Sequence, residues 1–89
     1  MVPQDDTRAF SSRTVTVAPG DSRPHDEDEW RGTLIVIEAG ELELRCRAGG
    51  ARRFAAGAVL WFTGLDLASV HNPGTEPAVF RGVSRARPG

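Results

Sequence analysis

The chain is predicted to be all-β, an antiparallel sandwich or barrel, on three observations. Apolar and polar residues alternate with period two in several short runs, as in strands with one buried face. Glycine and proline interrupt these runs at Pro19-Gly20, Gly40, Gly49-Gly50, Gly57 and Pro73-Gly74. No apolar stripe at i, i+3, i+4, i+7 persists for ~10 residues, so no substantial helix is expected. About seven short strands at such spacing indicate a sandwich or barrel.

Residues 1–12 are polar and carry no period. They are expected to form a flexible N-terminal arm, with residues 13–85 as the β domain and 86–89 as a C-terminal tail. Arg13-Thr14-Val15-Thr16-Val17 alternates and reads as a half-buried strand. Pro19-Gly20 and Pro24 then break it. The acidic run Asp26-Glu27-Asp28-Glu29 reads as a solvated loop, with His25 at its start. Thr33-Leu34-Ile35-Val36-Ile37 is a strand with both faces apolar, and Gly57 to Phe62 has the same character. With no helix to cover them, the second face must meet another sheet or a partner subunit.

The hairpin that follows has an arguable register. In Glu41-Leu42-Glu43-Leu44-Arg45-Cys46-Arg47, the residues Leu42, Leu44 and Cys46 share one face and the charges share the other. Gly49-Gly50 supplies the turn, where glycine tolerates positive φ. A two-residue loop would set Phe54 opposite Arg45, on the charged face. A loop of residues 48–50 sets it opposite Leu44 instead. A one-residue slip inverts every side chain, so the odd-numbered loop with a glycine bulge is preferred, and Phe54 is expected inside. Val79 to Ser84 supplies the last strand.

Size and charge narrow the functions. The 89 residues make one domain at most, and a core this small is marginal alone. The one cysteine allows no intrachain disulfide and the two histidines make no zinc-finger framework. Such a domain often gains stability by oligomerising. Net charge is −1, which gives no field for nucleic acid. No apolar run approaches the roughly 18 residues of a membrane helix, and the start Met1-Val2-Pro3-Gln4-Asp5-Asp6 lacks signal-peptide features. A cytoplasmic, non-membrane protein is the expectation. Arginines cluster at 45, 47, 52 and 53 and at 81, 85 and 87. These and the acidic run read as solvated faces, or as patches meeting across a subunit contact.

From Leu34 to Gly40 and on through Glu41-Leu42-Glu43-Leu44, and again from Gly57 to Asn72-Pro73-Gly74, the chain resembles the cupins, the small jelly-roll barrel family. The first cupin motif has two histidines one residue apart, then a glutamate, then six residues and a glycine, here Gly40. The second starts at a glycine, here Gly57, and reaches a proline, a histidine and an asparagine, here Asn72. The resemblance covers about residues 13–85 and implies an antiparallel jelly-roll barrel, a homodimer and a pocket converging on the motif positions. Counting from Gly40, the glutamate position falls on Thr33. The histidine positions fall on Glu27 and Glu29, or on Asp26 and Asp28 with the longer spacing. The last histidine position falls on Ala68. No expected ligand is present, so no transition-metal cofactor is expected. His25 with Asp26, Glu27 or Glu29 offers an atypical carboxylate and histidine set as a weak alternative.

The expected function is small-molecule binding in the barrel without a metal. The expected site is the barrel mouth, with Glu27, Glu29, Trp30, Thr33, Trp61 and Ala68 contacting an apolar or weakly basic ligand. The alternative is a metal-independent isomerase, cyclase or lyase with a barrel carboxylate as general base. A second alternative is a metal-dependent enzyme built on the His25 set. His71 reads as an outward-facing residue before a turn. Cys46 reads as a small core residue, since no histidine is placed beside it to activate a nucleophile.

Overall fold

The computed structural model describes residues 10–85. The elements are β1 (Phe10–Val17), β2 (Ser22–Pro24), α1 (Glu27–Trp30), β3 (Thr33–Ala39), β4 (Glu41–Cys46), β5 (Ala51–Ala55), β6 (Val59–Trp61), β7 (Leu67–His71) and β8 (Ala78–Arg85). They form two four-stranded antiparallel sheets, in the orders β1-β8-β3-β6 and β2-β7-β4-β5. The fold is all-β and jelly-roll-like. The sheets do not close into a continuous barrel: β1 and β6 are edges of one, β2 and β5 of the other.

The alternation read from the sequence governs the packing. In β3, Ile35 and Ile37 are fully buried while Leu34 and Val36 are half-buried on the outer face. In β8, Phe80 and Ala78 are buried, opposite Val15 and Val17 of β1. Leu42 and Leu44 of β4 and Val70 of β7 face them from the second sheet. Asn72, also fully buried, donates to the carbonyls of Val17 (2.9 Å) and Glu76 (2.8 Å) and accepts from the Gly74 amide (2.9 Å). The asparagine of the second motif is therefore a structural tie that shapes the turn before β8.

Two glycines are demanded by close approach. Gly40 has φ of +74°, and a Cβ there would lie 2.8 Å from the Pro77 carbonyl oxygen and 2.9 Å from the Ala78 Cα. Gly82 lies on the inner face of β8. A Cβ there would lie 2.8 Å from both Thr33 Cγ2 and Trp30 Cζ3. The Trp30 ring occupies the space that a side chain at 82 would take.

Several expectations are corrected. β1 begins at Phe10, paired with Arg85. Residues 1–9, the rest of the expected arm, and the tail 86–89 lie outside the described residues. The acidic run is one helical turn, not a loop, because Asp26 caps it by accepting from the Asp28 amide at 3.0 Å. The hairpin register has the expected parity but is displaced by two residues. Phe54 faces Leu42, not Leu44, because residues 46–50 make the connection between paired Arg45 and Ala51. Leu42 and Leu44 are buried, and Cys46 and Phe54 are half-buried against the core. Among the described residues no helix is long and apolar enough to cross a membrane.

Candidate functional site

The structure separates the sequence-predicted site residues. Trp30, at the end of α1, is only 2% exposed and packs in an aromatic cluster with Phe62 (5.7 Å between centroids) and Phe80 (5.5 Å). Thr33 is buried beneath it and directs its hydroxyl to the Arg31 carbonyl at 3.5 Å. Glu29 accepts from Arg13 of β1 and from Arg23 of β2 at 2.8 Å. Both guanidinium groups also lie over the Trp30 ring, at 4.4 and 5.8 Å. Glu29 and Trp30 thus clasp the β1 and β2 edges together. A small recess of about 170 Å³ adjoins Trp30 and Thr33.

His25 is a core residue, not part of a solvated loop. Its side chain is 1% exposed, with the ring edge-on to Phe62 at 6.0 Å. Its backbone amide donates to the Ala68 carbonyl, which draws the ring under β7. Nε2 stands 2.9 Å from Glu27 Oε1, and Nδ1 is buried without a hydrogen-bond partner. Glu27 also accepts from the Gly64 amide at 3.1 Å. The His25 bond, then the Gly64 amide, holds the Glu27 carboxyl below its ordinary value. Ala68 is exposed. It sits where the β4–β7 register shifts, between the buried Leu67 and Val70, so strict alternation fails there. His71 lies at the end of β7, with Nδ1 2.8 Å from the Ser22 hydroxyl.

The donor set does not fit a transition metal. Thr33 is committed to a backbone carbonyl, Ala68 has no donor side chain, and Glu29 is engaged by two arginines. Among the described residues no three His, Cys, Asp or Glu side chains converge. His25 and Glu27 meet only as a pair.

The larger cavity, about 460 Å³, lies at the other edge of the sandwich, between β5 and β6. Leu44 and Cys46 of β4 with Arg52 and Phe54 of β5 form one wall. Leu60 and Trp61 of β6, Thr63, Leu65 and Leu67 form the other. Of the predicted site residues only Trp61, 51% exposed, lies here. Arg52 is the single charged group, and no carboxylate or imidazole belongs to the lining. The inward pattern of Leu44, Cys46 and Phe54 was legible in the hairpin. Arg52 was not read as a site residue. Its signal is its position two residues from Phe54, which puts it on the same inner face.

Four of the clustered arginines are paired with carboxylates. Arg45 (2.8 Å) and Arg53 (3.3 Å) share Glu43 and hold its carboxyl low, Arg45 most. Arg47 stands 4.0 Å from Asp66, and Arg81 stands 3.1 Å from Glu38.

No protein-family model matches the chain, and no curated protein matches it. Among the solved structures similar to it are two cupin domains. One is a Cupin 2 conserved barrel domain protein from Salinispora arenicola CNS-205, at TM-score 0.66 and 27% identity, covering 84% of this chain and 61% of that one. The chain therefore spans about three-fifths of that protein. The other is the Cupin_2 domain of an XRE family transcriptional regulator from Enterobacter cloacae, at TM-score 0.61 and 24% identity, covering 100% and 93%. The chain is a small cupin-like domain.

Proposed function

We propose that this cupin-like domain binds a small, largely apolar molecule in the cavity between β5 and β6, without a transition metal. The observation that carries this is the cavity itself. It falls within the roughly 300–1,000 Å³ of small-molecule sites and has their mix of apolar walls and few polar groups. The reading is placed here and not at the expected Thr33 position because the Trp30 ring packs beside Thr33 against Gly82.

A carboxylate general base finds no support in the geometry. Such a base needs burial that raises its pKa toward neutrality. Glu27 is 43% exposed at its side chain and is shifted the other way, and Glu29 is bound by two arginines.

The test is native mass spectrometry and solvent extraction of untagged protein, with elemental analysis on the same sample. A copurified apolar molecule, displaced when Leu60 is enlarged, supports the reading. Stoichiometric metal that is lost on Glu27→Ala or Glu29→Ala overturns its metal-free part.

We also propose a homodimer. The outer face of the first sheet carries Trp61, Leu34 and Val83 in one cross-strand row and Val59 and Val36 in the next. Val59 and Trp61 are more than half exposed, and contiguous apolar surface of this kind marks interaction sites. Sedimentation at micromolar concentration should give twice the chain mass. A monomer there, unchanged by Trp61→Arg, counts against it.

A further inference from the structure

We infer that the cavity selects amphiphiles with an anionic head, a medium-chain carboxylate being the simplest, and that Arg52 is the selecting group. This rests on reading the cavity as a binding site. Arg52 stands directly opposite Leu44 in the β4–β5 ladder, and Phe54 stands opposite Leu42. Directly opposed residues share a face, so the Arg52 stem leaves the backbone on the inner side with Phe54. The residue is nevertheless exposed, because β5 is an edge strand. Its guanidinium carbon lies 6.0 Å from the Phe54 ring centroid. The group therefore sits at the rim, with the apolar walls of Leu44, Leu60 and Leu67 below it.

The neighbouring arginines make the contrast. Arg45 and Arg53 share Glu43, and Arg47 faces Asp66. Among the described residues Arg52 has no carboxylate within ion-pair distance, and no acidic residue lines the cavity. A bound carboxylate would accept two parallel N–H bonds from the planar guanidinium while its chain replaces water against the leucines. A neutral head of the same length forgoes the charge-assisted bonds. A cationic head would meet repulsion, so the weakly basic ligand expected from the acidic residues of α1 is disfavoured at this cavity.

An inward-directed charge on an edge strand also deters pairing with other chains. That role needs a charge but no ligand preference, and the two are separable. The full chain is titrated with octanoate and with 1-octanol, followed by amide NMR shifts and calorimetry. Octanoate is expected to bind at least about tenfold more tightly, the ratio that ~1.4 kcal/mol from a charge-assisted bond supplies. Arg52→Gln should abolish this preference, with octanoate affinity falling to the level of octanol in the same variant. Arg52→Lys should keep part of it. Equal binding of both probes by the unaltered chain overturns the selectivity and leaves the binding reading standing. A preference retained in Arg52→Gln overturns the role of Arg52. If neither probe shifts Leu44, Phe54 or Leu60, the cavity is not a binding site, and both readings fall.

Discussion

The two edges of the sandwich are built from similar strands and end in opposite states. At the β1–β2 edge, α1 lies across the gap, Glu29 ties Arg13 to Arg23, and Trp30 drops into the notch left by Gly82. The interior there is closed by three aromatic rings. At the β5–β6 edge no helix or strand crosses among the described residues, and leucines line a cavity with one arginine at its rim. Edges of a sheet pair must be covered, paired or charged. The first edge is covered, and the second is charged. What differs is one bulky side chain supplied from a neighbouring segment, and that difference separates a structural region from a candidate site.

The sharpest way to break the comparison is to empty the filled edge. Trp30→Ala should cost about 3–5 kcal/mol, close to the whole stability of many small domains. Calorimetry or denaturant melting should show a mostly unfolded or barely folded chain. A loss under about 1 kcal/mol would mean that Trp30 is not the plug.

Adding bulk tests both edges with one kind of change. Gly82→Ala places a methyl 2.8 Å from Thr33 and Trp30, and overpacking of this sort costs about 1–3 kcal/mol. Leu60→Phe adds volume to the cavity and should cost less than about 1.5 kcal/mol while weakening octanoate binding at least about tenfold, by the inverse of the argument for a fitted pocket. If Leu60→Phe destabilises as much as Gly82→Ala, the second edge is as full as the first.

The single cysteine reports on the open edge directly. Cys46 lines the cavity and is half-buried. Its alkylation by a maleimide should slow several-fold under saturating octanoate, as expected when a bound ligand shields a lining group. An unchanged rate would place the ligand elsewhere.

The smallest expected effect concerns pH at the filled edge. Glu27 has its carboxyl held below the ordinary 4.5 by His25 and the Gly64 amide. A depressed carboxylate contributes stability that is present above the unfolded value and is lost as the pH falls through the folded value. The melting temperature should therefore fall below pH ~4.5 more steeply in the unaltered chain than in Glu27→Gln. Parallel curves would show that the pairing contributes nothing.

Much of the architecture was legible because it is local. Alternation in Glu41 to Arg47 told which side chains of β4 face inward, and the parity argument put Phe54 inside. The offset of that register was not legible, because the connection through residues 46–50 is closed by the Cys46 amide on the Gly50 carbonyl at 3.1 Å and the Gly49 amide on the Cys46 carbonyl. Nothing in the order of residues marks that longer loop over a three-residue one. Ala68 misled for a related reason. Strict counting along a strand fails at the β7 bulge, where Leu67 and Val70 are both buried.

The amino-acid sequence by itself determined the all-β class, the two-faced apolar strand at Thr33 to Ile37 and the inward face of the central hairpin. Each is a property of composition or of period-two alternation, which the chain carries locally. Only the tertiary structure decided which edge is filled and which is open. That depends on Trp30 meeting Gly82, on Arg13 and Arg23 meeting Glu29, and on no described side chain filling the space between Leu44 and Leu60. Such volumes are matched between residues far apart in the chain, through close packing that no local pattern encodes.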